Sequence, residues 1–232
     1  MNYMGGKFKL SKYIIPIMLS ERKADQYWVE PFVGGGNIID KVEGNRIGAD
    51  IDVNTIHALI SIRDNLSELP KNNKEFTEKE YKELKQESTY KHKEYAGFAF
   101  SYGGKWLGGW AKNTTGRDYV AQAYRAAVRQ SQLLQGVVLV NTSFLDLLIP
   151  LNSLIYCDPP YENTTKYKNE INYSVFWEWC RNMSNEGHNV FVSGYDAPTD
   201  FECIWEMEVF TRLSSINTKK ATEKLFKYKK RG

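Results

Sequence analysis

The stretch Tyr27-Trp28-Val29-Glu30-Pro31-Phe32-Val33-Gly34-Gly35-Gly36-Asn37 decides the fold. Its short apolar run, Tyr27 to Val29, stops at Glu30-Pro31-Phe32; three glycines follow, and an apolar pattern resumes at Ile38 and Ile39. That order predicts a strand, a glycine turn and a helix. Downstream, Arg46 to Asp50 reads as a second short strand ending in an acid. Val53 to Asn65 then spaces Ile56, Leu59 and Ile60 as a helix lying on a sheet. Two strand-to-helix units in succession imply an α/β domain.

Further along the chain the pattern breaks and then returns. Lys71 to Tyr90 holds five basic and five acidic residues with few apolar positions, and Tyr95 to Trp110 is rich in glycine and aromatics. Asp118 is placed to cap a helix that runs to Gln135 and stops at Gly136. Val137 to Val140 and Leu154 to Tyr156 read as buried strands, Tyr173 to Met183 as a helix and Val190 to Ser193 as another strand. The chain ends in a basic run, Lys227, Lys229, Lys230 and Arg231, which reads as a tail able to add phosphate contacts. No internal repeat is present.

Composition limits the function classes. With 232 residues, 42% of them hydrophobic, the chain can bury one substantial core, so one main domain is expected. A formal net charge of +3 is too small to diagnose a nucleic-acid partner by itself. Cys157, Cys180 and Cys203 show neither metal-ligand spacing nor the density of a disulfide scaffold, which suits a reducing cytoplasm and predicts no metal. No signal-peptide pattern or membrane-length apolar run appears, so a soluble protein is expected.

Glycines after a strand let backbone amides and a helix start approach a ligand closely, which suits a nucleoside-containing cofactor. Ile39 stands where the third glycine of the dinucleotide fingerprint would fall, so a nicotinamide cofactor is disfavoured. Asp50 is placed to accept hydrogen bonds from two ribose hydroxyls, and Asp52 competes for that role.

The strongest signal is Asp158-Pro159-Pro160-Tyr161, directly after the apolar strand Leu154 to Tyr156. A conjugated amine such as that of adenine is a poor nucleophile because its lone pair is delocalised into the ring. A catalyst for it should accept its hydrogen bonds and favour a pyramidal nitrogen. Asp158 supplies a carboxylate, Pro159 supplies a carbonyl whose direction is fixed by restricted backbone, and Tyr161 offers a face for stacking a base. A base inside a duplex cannot reach such a pocket, so it would have to flip out. Cytosine's amine, an RNA adenine or a glutamine side chain would suit the same acceptor pair. Methylation of a cytosine ring carbon is disfavoured, since no proline precedes a cysteine.

On these residues the chain resembles the Dam-type DNA adenine methyltransferases, and more narrowly their phage or prophage members, over essentially its whole length. The resemblance implies a Rossmann-like S-adenosylmethionine-dependent methyltransferase fold with a mixed, mostly parallel sheet. Tyr3-Met4-Gly5-Gly6-Lys7 matches the family's N-terminal donor-contacting element, with Tyr3 at an aromatic position and Lys7 as the cation. Glu30, Pro31, Phe32, Gly34, Gly35, Gly36 and Asn37 match its donor-binding loop, and Asp50 its ribose-binding acid. Ser143 and Phe144 resemble the element beside the donor adenine. Asp158 to Tyr161 matches the catalytic tetrapeptide, with Asp158 also near the donor, and Val190 to Pro198 is similar to a late strand and loop of these enzymes. Gly194 departs from a bulkier family position.

The resemblance further implies that an insertion between donor loop and tetrapeptide recognises the target sequence. This divides the chain into a catalytic domain, 1–62 and 131–232, and a small, mainly helical recognition insertion, 63–130. Lys91 to Ser131 carries seven basic residues against two acidic ones. Lys105, Lys112 and Arg117 interleave with Trp106 and Trp110, and Arg125 and Arg129 share a helix face, as expected of phosphate and stacking contacts with double-stranded DNA. The aromatics would equally suit a small satellite core. A monomer in the cytoplasm of a bacterium or phage-infected host is expected. A catalytically silent DNA-binding relative is the competing class, and intact Lys7, Asp50, Asp158 and Tyr161 argue against it.

Overall fold

A computed structural model describes residues 1–86, 89–112, 116–161, 171–212 and 218–229. Helix α1 (Ser11–Leu19) leads to β1 (Trp28–Glu30), β2 (Arg46–Asp50) and α2 (Val53–Asp64). Helices α3 (Glu78–Leu84), α4 (Lys93–Ala99) and α5 (Tyr119–Leu133) follow, then β3 (Val137–Asn141), β4 (Leu154–Cys157), α6 (Tyr173–Asn185), β5 (Asn189–Gly194), β6 (Phe201–Arg212) and β7 (Thr218–Tyr228). The seven strands form one sheet in the order β3-β2-β1-β4-β5-β7-β6. Neighbours from β3 to β5 are parallel, and β7 runs antiparallel between β5 and β6. This mixed, mostly parallel sheet with helices on its faces is the Rossmann-like methyltransferase fold.

The central strands are short and buried on both faces, which is why they read as continuous apolar runs. In β4 the side chains alternate: Leu154 and Tyr156 enter one core with Trp28, Ile39, Leu59 and Phe191, while Ile155 and Cys157 enter the other with Val29, Phe176, Cys180 and Val192. Four helices begin on side-chain caps. Asp52 accepts from Asn54 N, Asp118 from Ala121 N and Asn172 from Val175 N, and Thr77 forms a capping box with Glu80. The Arg46 guanidinium donates to the carbonyls of Ile39, Leu133 and Gln135, tying β2 to the turn before it and to the end of α5.

Two sequence expectations need correcting. The helix expected after the glycines is a single 3-10 turn, Ile39–Lys41. Gly34 and Gly36 take positive φ (47° and 67°) and Gly44 another (82°), so the chain reverses twice with too little length between for a full helix. The basic end is not a tail as far as Lys229: residues 218–228 form β7, and Lys227 ion-pairs with Glu21 and lies 5.3 Å from the Phe191 ring centre. Lys230 and Arg231 lie outside the described residues.

Described residues of 63–130 share a core with the sheet. Phe76, Tyr81, Leu84, Tyr95 and Phe100 are buried in the same cluster as Trp28 and Leu59, and Trp110 packs against it.

Candidate active site

At β1 and β4 the chain order of the strands reverses, and an α/β sheet offers a ligand crevice beyond the strand ends at such a point. The two candidate clusters meet the sheet there. On the first side, the backbone amide of Gly34 donates to Asp50 Oδ2 at 3.1 Å and that of Asp52 to Asp50 Oδ1 at 2.9 Å. Burial pushes the Asp50 carboxyl up to about 6, against the pull of those two amides. Asp52 is occupied otherwise: its Oδ1 accepts from the backbone and side-chain nitrogens of Asn54 at 3.1 and 2.7 Å. Asp50 is therefore the acid with acceptor capacity facing the glycine loop.

The loop is covered by the N-terminal segment and propped from below. A Cβ on Gly34 would stand 3.0 Å from the Tyr3 ring, and one on Gly35 2.6 Å from Tyr3 Cβ. Tyr3 also packs on Phe98 of α4, ring centres 5.3 Å apart, and Met4 N donates to Gly104 O at 3.2 Å. From α5, Gln130 Nε2 donates to the carbonyl of Gly35 at 2.9 Å and to Asp40 Oδ2 at 3.0 Å. Glu30 is buried, where its Oε1 accepts from the Trp28 indole at 2.7 Å, and burial holds its carboxyl well above the usual range. Phe32 and Phe144 pack on each other and on Phe176, centres 5.4 to 5.8 Å apart, while Ser143 Oγ bonds Asp146 within its own turn.

The second cluster joins three distant parts of the chain. Lys7 Nζ, 7% exposed, lies 3.0 Å from Asp158 Oδ1, 3.9 Å from Glu223 Oε2 and 4.5 Å from the centre of the Tyr161 ring. The Tyr161 hydroxyl donates to Glu223 Oε2 at 2.7 Å, and the ring meets Tyr195 edge-on at 4.5 Å. Tyr161 is partly exposed, and the Pro160 carbonyl accepts from the Tyr173 hydroxyl. Burial raises the Asp158 carboxyl and Lys7 counters it. For Lys7, burial disfavours the ammonium, but Asp158 and Glu223 outweigh it and raise its pKa.

Lys7, Asp158 and Tyr161 are thus brought together, with Gly34 after the neighbouring β1 and Asp50 at the end of β2 one strand further on. The proposed DNA residues are more dispersed. Lys105, Arg125 and Arg129 are exposed, and Arg117 lies 5.7 Å from the Tyr119 ring centre. Lys112 pairs with Glu78 at 3.3 Å. Trp106 packs on Phe98 and fills the space over Gly97, and Trp110 packs on Tyr81 and Phe100, so both rings are largely committed to the protein itself. Glu223 and Gln130 escaped the sequence reading. Glu223's signal was period two with Leu225 inside a lysine-rich run; Gln130 carried none.

Among the described residues, no group of three or more His, Cys, Asp or Glu is placed to hold a metal ion, and no helix is long and apolar enough to cross a membrane. No curated protein sequence matches the chain. Among solved structures, SMU.472, assigned as a methyltransferase and determined with SAH, covers 96% of this chain and 52% of its own, with a TM-score of 0.44 and 11% identity. The chain thus spans about half the length of that protein. A tRNA (m1A58) methyltransferase from Aquifex aeolicus covers 97% of this chain and 69% of its own, at TM-score 0.42 and 11% identity. Escherichia coli yhhF, assigned as a methyltransferase, covers 96% and 83%, at TM-score 0.41 and 10% identity. Residues 3–142, well over half of the sequence, match the D12 class N6 adenine-specific DNA methyltransferases, and the chain belongs to that family of enzymes.

Proposed function

We propose that this methyltransferase acts on double-stranded DNA, methylating the exocyclic amine of an adenine flipped out of the helix, with S-adenosylmethionine as donor. The observation that carries the reading is a pair of acids beyond the two strands that flank β1: Asp50, ending β2 and held by the Gly34 and Asp52 amides, and Asp158, after β4 and held by Lys7. The residues present fit the donor. Asp50 keeps lone pairs for two ribose hydroxyls, since a carboxylate offers roughly four acceptor directions and two are used by amides. Gly34 to Asn37 and the Tyr3 segment flank it, with Ser143 and Phe144 at the end of β3. S-adenosylmethionine, when bound, supplies a methyl carbon on a sulfonium leaving group.

The chain's own residues do the rest by positioning. Asp158 and the Pro159 carbonyl accept hydrogen bonds from the target amine, turning its lone pair out of the ring. Tyr161 gives the base a partly exposed face, and stacking there offsets part of the few kcal/mol that flipping costs. Lys7 counters the burial that disfavours the Asp158 carboxylate. Residues 63–130 recognise the target site, with Arg125 and Arg129, one turn apart on the outward face of α5, contacting phosphates alongside Lys105 and Arg117. The test is transfer of labelled methyl from S-adenosylmethionine to unmethylated duplex DNA, followed by digestion to nucleosides. Label is expected in N6-methyladenine; label in methylcytosine, or none, overturns the reading.

A further inference from the structure

We propose that Glu223, on β7, is a positioning residue of this site: it fixes the Tyr161 ring by its hydroxyl and shares the charge of Lys7 with Asp158, the carboxylate that accepts from an incoming amine. The inference rests on the reading of Asp158 given above. Glu223 is 8% exposed and faces Lys7, Asp158 and Tyr161 from a strand that enters the sheet antiparallel. One oxygen, Oε2, accepts from the Tyr161 hydroxyl at 2.7 Å and stands 3.9 Å from Lys7 Nζ, while Lys7 lies 3.0 Å from Asp158.

A buried carboxylate costs several kcal/mol unless paired and hydrogen-bonded, so a second one beside Asp158 calls for a physical reason. Lys7 stands at hydrogen-bond distance from Asp158, and a second anion nearby spreads its positive charge over two carboxylates. Asp158 is thereby held less tightly than by an ammonium of its own. Tyr161 gains a fixed ring angle, pinned by Glu223 at its hydroxyl and by Tyr195 at its edge. Titratable groups around the pair are Lys7 on the N-terminal segment, Asp158, Tyr161 and Tyr156 on and after β4, Tyr195 after β5 and Glu30 at the end of β1.

Two variants, one conservative and one truncating, separate positioning from simple structural support. Glu223→Gln keeps an acceptor for the Tyr161 hydroxyl and removes the charge; Glu223→Ala removes both. In Glu223→Gln, kcat is expected to fall about tenfold with KM for DNA nearly unchanged. Its Asp158 carboxyl, followed by 13C NMR in the donor-free protein, is expected to titrate at lower pH than in the wild type, because a like charge is gone and Lys7 pairs with it alone. In Glu223→Ala, kcat is expected to fall about a hundredfold and KM for DNA to rise, because Tyr161 is no longer held. An Asp158 titration in Glu223→Gln that coincides with the wild type overturns the proposal, as does equal kcat and KM in the two variants. The NMR measurement needs no turnover, so a failure of methyl transfer in the wild-type protein would count against the reading of the site and leave the Glu223 result standing.

Discussion

Asp50 and Asp158 are both acids at the ends of buried parallel strands, yet they are held in opposite ways. Asp50 is held by backbone: two amides, from Gly34 and from Asp52, point at its two oxygens. Asp158 is held by side chains from remote sequence, Lys7 at 3.0 Å with Tyr161 and Glu223 around it. Backbone amides hold one geometry through a binding event, which suits a residue that only has to grip. Side chains can redistribute hydrogen bonds and charge, which suits a residue whose demands change as a reaction proceeds.

The sharpest way to break this comparison is at Asp158. Asp158→Ala is expected to lower kcat by about a thousandfold or more, the scale of losing a direct transition-state contact, while donor affinity by calorimetry stays within about twofold. Undiminished turnover would remove Asp158 from the chemistry. Asp50→Ala should behave inversely, with donor Kd rising about 10- to 100-fold, as for hydrogen bonds to a charged group, and kcat at saturating donor nearly kept. A matching fall in kcat would erase the distinction between gripping and reacting.

A smaller effect lies in pH. Because burial raises the Asp50 carboxyl to about 6, donor affinity should weaken as pH falls through that value, and the dependence should vanish in Asp50→Asn. Stability carries the opposite sign. A carboxyl whose folded pKa exceeds its unfolded one favours the fold only while protonated, an advantage complete below about 4 and lost as pH rises through about 6. Urea melts of donor-free protein at pH 8 should therefore show Asp50→Asn more stable than wild type by about 1 kcal/mol, with the difference shrinking at pH 4. The least effect is expected at the DNA surface, where replacing Arg125 and Arg129 by Gln should reduce the salt slope of DNA binding by about two at most. An unchanged slope would move the phosphate contacts elsewhere.

The same contrast explains what the sequence made legible. Asp50, Gly34, β1 and β2 lie within one short segment, so local pattern and spacing sufficed to pair them. Asp158 announced itself through its neighbouring prolines, and Lys7 through a resemblance. Glu223 did not, because a lone acid among Lys219, Lys220, Lys224 and Lys227 reads as solvated charge until β7 is known to lie against β5. The hairpin of β6 and β7 was hidden for the same reason: lysines mask the alternation that Leu225 and Phe226 bury. Trp106 and Trp110 show the converse, since composition suggests a binding surface where packing has claimed the rings.

Lys7 and Glu223 lie near opposite extremes of the sequence and meet across 3.9 Å. Joining residues so far apart in the chain closes a very long loop, so this centre should form only after the strands between them have paired.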